Sequence, residues 1–252
     1  MSFTEVSSTM KSTALAAALL FAMGIGNASA DSFQVSALAP GVQAPIGITN
    51  HYETFTGLSF TGGSLTTNFN NSGITGTYTG SAQIANANVF GGAGGVGQFI
   101  TTSEAGSYTL TLSSNVNYFG LWFSALDQGN ELSLYRNNTL VYSFDPSDYA
   151  QLVGGCPTST PEPNYCGNPN SDFYNAVSYQ QYAYLNFYDQ NASFNKIVVA
   201  ESPNDGEFES DNQAVGNLTS APGTTVPEPS GLLLIGTGAL FAAGWLRPRI
   251  TQ

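Results

Sequence analysis

The chain has 252 residues, of which only 9 % are charged, and a formal net charge of −12. An acidic chain this poor in Lys and Arg repels phosphate, which argues against nucleic acid or anionic lipid as partners. Gly, Ser, Thr, Asn and Tyr are abundant instead, so its surface is polar through hydroxyls and amides, a common look for exported all-β proteins.

At the start, Lys11 precedes the apolar stretch Ala14–Ile25, and Asn27-Ala28-Ser29-Ala30 follows. A basic n-region, a short apolar segment and a small-residue A-x-A site predict a secretory signal peptide over 1–30. Ala28 and Ala30 form its cleavage site, and Asp31 becomes the mature N-terminus. A short N-terminal membrane anchor is the alternative.

From 31 to 226, Arg136 and Lys196 are the only basic side chains, against fifteen carboxylates. That length allows one domain with a proper core. No segment of it sustains a 3.6-residue apolar period. Short β-branched and aromatic runs broken by Gly, Asn and Ser predict an all-β, antiparallel sandwich or barrel over 31–219. Predicted strands are Tyr52–Phe60, Gly76–Tyr78, Gln98–Thr102, Ser107–Ser113, Tyr118–Ala125, Glu131–Arg136, Thr139–Phe144, Ala183–Tyr188, Lys196–Ala200 and Gln213–Leu218.

Gly92-Ala-Gly-Gly-Val-Gly97 matches G-x-G-x-x-G, but a dinucleotide site needs a helix after it. Two strands follow instead, so this reads as a glycine-rich loop. Tyr118–Phe123 is apolar at every position, as expected of a central strand covered on both faces. Next comes the clearest hairpin, 131–144. Leu132 and Leu134 alternate with Ser133 and Tyr135, Asn137-Asn138 tolerates positive φ, and Leu140, Tyr142 and Phe144 alternate on the return.

Residues 145–180 carry five prolines and both cysteines, Cys156 and Cys166. In an exported chain this close pair predicts a disulfide pinning a long excursion. A metal site there is disfavoured, because the only histidine, His51, lies about a hundred residues away. The same chain offers little hydrolytic machinery. His51 is the only imidazole, and no nucleophile elbow is present. Asp127, Glu131, Asp145 and Asp148 could pair for glycoside hydrolysis, although acids flanking strands are usually solvated.

Tyrosines cluster in the second half. Tyr182, Tyr184 and Tyr188 share one strand parity, as a core face does. Tyr165, Tyr174 and Tyr179 are the candidates for a sugar-stacking platform. Asp205-Gly-Glu-Phe-Glu-Ser-Asp-Asn212 gathers four carboxylates and an amide, hard oxygen ligands suited to Ca²⁺; a solvated acidic turn is the alternative. Ser220–Val226 reads as a flexible spacer.

The C-terminal segment 227–252 has three parts: Pro227-Glu228-Pro229, an uncharged apolar run Gly231–Leu246, and a basic end with Arg247 and Arg249. The run has 16 residues, just short of the roughly 17–25 of a full span. Trp245 and the arginines fit a cytoplasmic interface. Together these parts resemble the PEP-CTERM sorting signal of exported bacterial proteins. The resemblance implies a single transmembrane helix at about 231–246. It further implies cleavage near Pro227–Pro229 by an exosortase and a location at the cell surface or in an extracellular polysaccharide matrix. A plain C-terminal anchor is the alternative.

The block from Tyr118 to Asp148 also resembles a recurrent ectodomain of exosortase-dependent proteins, with its FGL-W-x-S-x-D-x-x-N-x-L pattern. That resemblance implies a jelly-roll-like or carbohydrate-binding-module-like sandwich. Phe208-Glu-Ser-Asp-Asn212 is similar to the F-E-x-D-N motif opening the last strand of such sandwiches, although Ser210 and Gln213 depart from the usual apolar residues. The resemblance implies that its acids meet an N-terminal Glu, here Glu53. The expected calcium set is then Glu53, Glu207, Glu209, Asp211 and Asn212. The expected function is non-catalytic, with glycan binding as the alternative and glycoside hydrolysis as a remote one.

Overall fold

A computed structural model describes residues 33–48, 51–60, 63–156, 163–201 and 206–222. The chain divides into Met1–Ser32 and Phe33–Gln252, and every described residue belongs to the second unit. The segments expected to act as a signal peptide, with Ala28 and Ala30, and as a sorting signal, with Pro227, Glu228, Pro229, Arg247 and Arg249, lie outside the described residues. Among the described residues no helix is long and apolar enough to cross a membrane.

In chain order the described strands are β1 (Phe33–Ala37), β2 (Tyr52–Glu53), β3 (Ser64–Thr67), β4 (Gly76–Gly80), β5 (Ala82–Asn86), β6 (Gln98–Thr102) and β7 (Ser107–Val116). They continue with β8 (Tyr118–Ser124), β9 (Asn130–Arg136), β10 (Thr139–Phe144), β11 (Ala183–Asp189), β12 (Phe194–Glu201) and β13 (Glu209–Gly216). One sheet has the order β1-β11-β8-β13-β6-β5, with β2 paired to β13; the other runs β10-β9-β12-β7-β4-β3. Every pairing is antiparallel. The sheets pack face to face as a β-sandwich.

The six-stranded sheet follows the two-residue period. In β7, Tyr108, Leu110 and Leu112 are buried while Thr109 and Thr111 face outward, and in β9 Leu132 and Leu134 alternate with Ser133 and Tyr135. These inward residues meet Phe119, Leu121, Phe123, Leu185 and Phe187 of the seven-stranded sheet in the main core. Each such apolar side chain contributes roughly 1.5–3 kcal/mol of burial.

The seven-stranded sheet is buried on both faces. All seven positions of β8 and of β11 are buried. Behind it, Trp122, Tyr182 and Tyr184 pack with Leu38 and Ala125, while Tyr118 and Tyr188 pack with Ile48 and Ala214. The tyrosines of common parity therefore face a second apolar layer, not the sandwich interior. Asn168 and Asn170 bind the carbonyls of Val89 and Gly92, and so tie the 163–182 excursion to the glycine-rich loop. That loop makes a short 3₁₀ turn at Ala93–Gly95 and enters β6, with no helix after it.

Several sequence expectations are corrected. The predicted strand 52–60 stops at Glu53, whose carboxylate accepts the Phe55 amide at 2.9 Å and turns the chain. The last strand starts at Glu209, not Gln213. Strands β1, β3 and β5 went unpredicted. So did one α-helix, α1 (Pro146–Val153), inside the supposed excursion. Its signal was legible: Asp145 caps Ser147 and Asp148, Asp148 caps back, and Pro146 occupies the first turn. On the hairpin's return strand a bulge between Leu140 and Tyr142 breaks the alternation and leaves Leu140 half exposed.

Candidate functional site

Four acidic residues lie near one another at one end of the sandwich because three chain segments arrive there together. The β8–β9 turn supplies Asp127, the end of β12 supplies Glu201, and the start of β13 supplies Glu207 and Glu209. The turn is closed by Asn130, whose Oδ1 accepts the Asp127 amide at 2.7 Å. Its Nδ2 donates to the Glu201 carboxylate and, at 3.2 Å, to the Glu207 carbonyl. One buried amide therefore ties all three segments.

Thr101 donates to Glu207 Oε2 at 2.9 Å, and the Gln180 amide donates to the Asp127 carboxylate. Gly206 has φ of 112°, and a Cβ there would lie 2.2 Å from Asp127 Oδ2. Glycine is what lets the chain pass this close to the acid.

Glu209 is 6 % exposed. Burial, then the charges of Asp127 and Glu207, push its carboxyl up to about 10. Its Oε2 and the Oε1 of buried Gln180 have no hydrogen-bond partner. Asp211 is pushed up to about 7, chiefly by burial, against the lowering effect of bonds from the Ala93 and Asn212 amides.

The expected calcium set is thus divided among three places. Glu207 and Glu209 join Asp127 and Glu201. Asp211 holds the glycine-rich loop through Ala93 at 2.8 Å, and Asn212 donates to the Gln43 carbonyl at 2.6 Å. Glu53 pairs with Gln213 in register, but its carboxylate binds Phe55 and Thr67. Among the described residues no three acids, histidines or cysteines converge at ligating geometry.

Beside the acid cluster opens a cleft of about 930 Å³, bordered by Asp127, Glu131, Asp145, Tyr179, Gln180 and Gln181. Three of the four acids noted for glycoside chemistry, all but Asp148, therefore border one cleft. Asp145 is committed to capping α1, and bonds from Ser147 hold its carboxyl below the usual range. Of the sugar-platform tyrosines, Tyr179 is 66 % exposed on this cleft. Tyr174 is exposed on a different depression, with Pro40, Gly41 and Asn175. Tyr165 is buried and donates to the Leu38 carbonyl at 2.6 Å, so its ring offers no face to a sugar.

Sequence reasoning missed Glu201, Asn130 and Gln180 as parts of the cluster. The Asp127-x-x-Asn130 spacing was the available signal, since it closes the turn that gathers them.

Cys156 and Cys166 form a disulfide with Cα atoms 5.7 Å apart. A closed bond of this kind belongs to an oxidising, extracellular-type environment.

No family model, curated protein or solved structure matches this chain.

Proposed function

We propose that this protein is an exported, non-catalytic component of the cell surface or its polysaccharide matrix, built on a jelly-roll-like sandwich. The observation that carries this reading is the Cys156–Cys166 disulfide in a chain whose two ends read as addresses. A signal peptide over 1–30 delivers the chain, and an exosortase acts at Pro227-Glu228-Pro229 after transient membrane anchoring. The acidic, cation-poor domain is suited to a hydrated matrix and unsuited to nucleic acid. The acid with the most strongly raised pKa, Glu209, is buried and does not border the cleft, which counts against a general acid working there. The test is fractionation of a host making the full chain. Recovery in the envelope or matrix fraction, with loss of that localisation when 227–252 is deleted, is expected. Recovery in the cytoplasm contradicts the reading.

One observation favours a second reading, glycan binding in the cleft: exposed Tyr179 stands beside Asp127, Glu131, Gln180 and Gln181. A flat ring with acids and amides around it matches the hydroxyl pattern of a sugar. On a glycan array, Tyr179→Ala abolishes binding if this reading holds. An array with no hits for the wild-type chain removes it.

A further inference from the structure

We propose that the cleft beside the β8–β9 turn takes a sugar chain carrying free amines, with a ring stacked on Tyr179 and ammonium groups facing Asp127, Glu131 and Asp145. The proposal rests on the glycan-binding reading of this cleft and adds the charge of its ligand. Glu131 and Asp145 are exposed on the rim and Asp127 is half-buried. Bonds from Ser147 keep the Asp145 carboxyl below the usual range, so it stays charged while it caps α1.

Among the described residues no Lys, Arg or His borders the cleft. The two described cations stand at the far end of β9 from Glu131. Arg136 ends that strand and donates to the Ser193 carbonyl, while Lys196 pairs with Tyr135 in register and donates to Asn138. Five residues of strand separate Glu131 from Arg136, roughly 17 Å, about twice the screening length in physiological salt. The carboxylates of the cleft are therefore uncompensated. Such a site repels uronate, sulfate and phosphate groups and attracts ammonium.

A second observation points to a ligand. Gln180 borders the cleft, yet it is only 7 % exposed. Its nitrogen donates to the Asp127 carboxylate, which fixes the orientation of the amide and leaves Oε1 as a buried acceptor without a donor. An N–H or O–H of a ligand entering beside it supplies one, and an amine-bearing sugar carries both. Tyr179, 66 % exposed, offers a flat face to a sugar ring and to an ammonium alike.

The test titrates the full chain calorimetrically with a glucosamine oligosaccharide, its fully N-acetylated counterpart and a lysine oligopeptide. The glucosamine oligomer is expected to bind saturably and to weaken as salt is raised. Acetylation should weaken binding by at least about tenfold, because several ion pairs are lost together. Glu131→Gln should weaken the glucosamine oligomer about two- to fivefold and leave the acetylated one unmoved, whereas Asp172→Asn, on an exposed turn, should change neither. Equal affinity for the two oligomers overturns the proposal and leaves the broader glycan reading standing. No saturable binding of the glucosamine oligomer also overturns it, and a blank glycan array then removes the broader reading as well. A lysine oligopeptide that binds as tightly as the glucosamine oligomer overturns it in favour of a basic peptide.

Discussion

The side-chain oxygen of Gln213, on one sheet, accepts the Tyr78 hydroxyl of the other at 2.9 Å in the middle of the sandwich. Its nitrogen donates to the Tyr108 hydroxyl at 3.0 Å and to Ser210 Oγ at 2.9 Å. The bond exists because β13 bulges between Asp211 and Ala214, with Asn212 at φ of 48°. The extra residue turns Gln213 into the interior, where an apolar residue would otherwise be expected. All polar partners are met, so the network fixes the bulge register.

Gln213→Leu strands the Tyr78 hydroxyl and leaves Tyr108 and Ser210 with only their mutual 3.3 Å bond. A loss of about 2–4 kcal/mol is expected, since several buried groups lose partners at once. Urea unfolding measures it, and adding Tyr78→Phe should restore part of the loss.

Gly120 sits at the centre of β8, and a Cβ there would lie 2.1 Å from the Tyr118 hydroxyl and 2.6 Å from that of Tyr184. Those hydroxyls bind Asn186 Oδ1 and the Asn212 carbonyl. Gly120→Ala should cost about 1–3 kcal/mol by overpacking, whereas the same change at exposed Gly155, with open space around it, should leave the unfolding temperature nearly unmoved.

Burial pushes the Tyr108 hydroxyl up to about 12, and Tyr78 and Tyr184 are also held well above the usual value of 10.0. A raised acid pKa means the folded state keeps its proton longer than the unfolded chain does. The stability these groups contribute is complete below pH 10 and is lost as pH rises toward 12. Absorbance of tyrosinate should therefore show a class of residues that ionises together with the loss of near-ultraviolet dichroism. Smooth, reversible titration of all thirteen tyrosines with the fold intact would contradict the packing described.

Removing the disulfide opens a loop with a sequence separation of 10 residues. The Cys156→Ser, Cys166→Ser chain should lose about 2–3 kcal/mol by the chain-entropy estimate and keep both sheets. Far-ultraviolet dichroism and denaturant unfolding check the two halves of that statement.

How far the sequence led depends on how locally each feature is encoded. Strands β6 and β10 are legible to the residue because β6 is entered from Gly97, and β10 is entered from Asn138 and closed by Asp145-Pro146. By contrast Ser64–Thr67 and Ala82–Asn86 carry few large apolar residues, and they are strands because neighbours supply their ladder bonds. Tyr52–Phe60 looked like a strand from its aromatics alone, yet the Glu53 side chain captures the Phe55 amide and ends it. The acid stretch near Glu209 was visible as chemistry. Its partners Asp127 and Glu201 lie more than seventy residues apart in the chain, and only the pairing of β8 with β13 in one sheet and of β9 with β12 in the other brings them close.

The proposed export with processing at both ends is tested most directly by the intact mass of the protein from its host's envelope and medium. A species beginning at Asp31 and ending near Pro227–Pro229 is expected, with any added mass reporting the attachment. A species that retains Leu232–Gln252 in every fraction would contradict it and mark the C-terminal segment as a plain anchor.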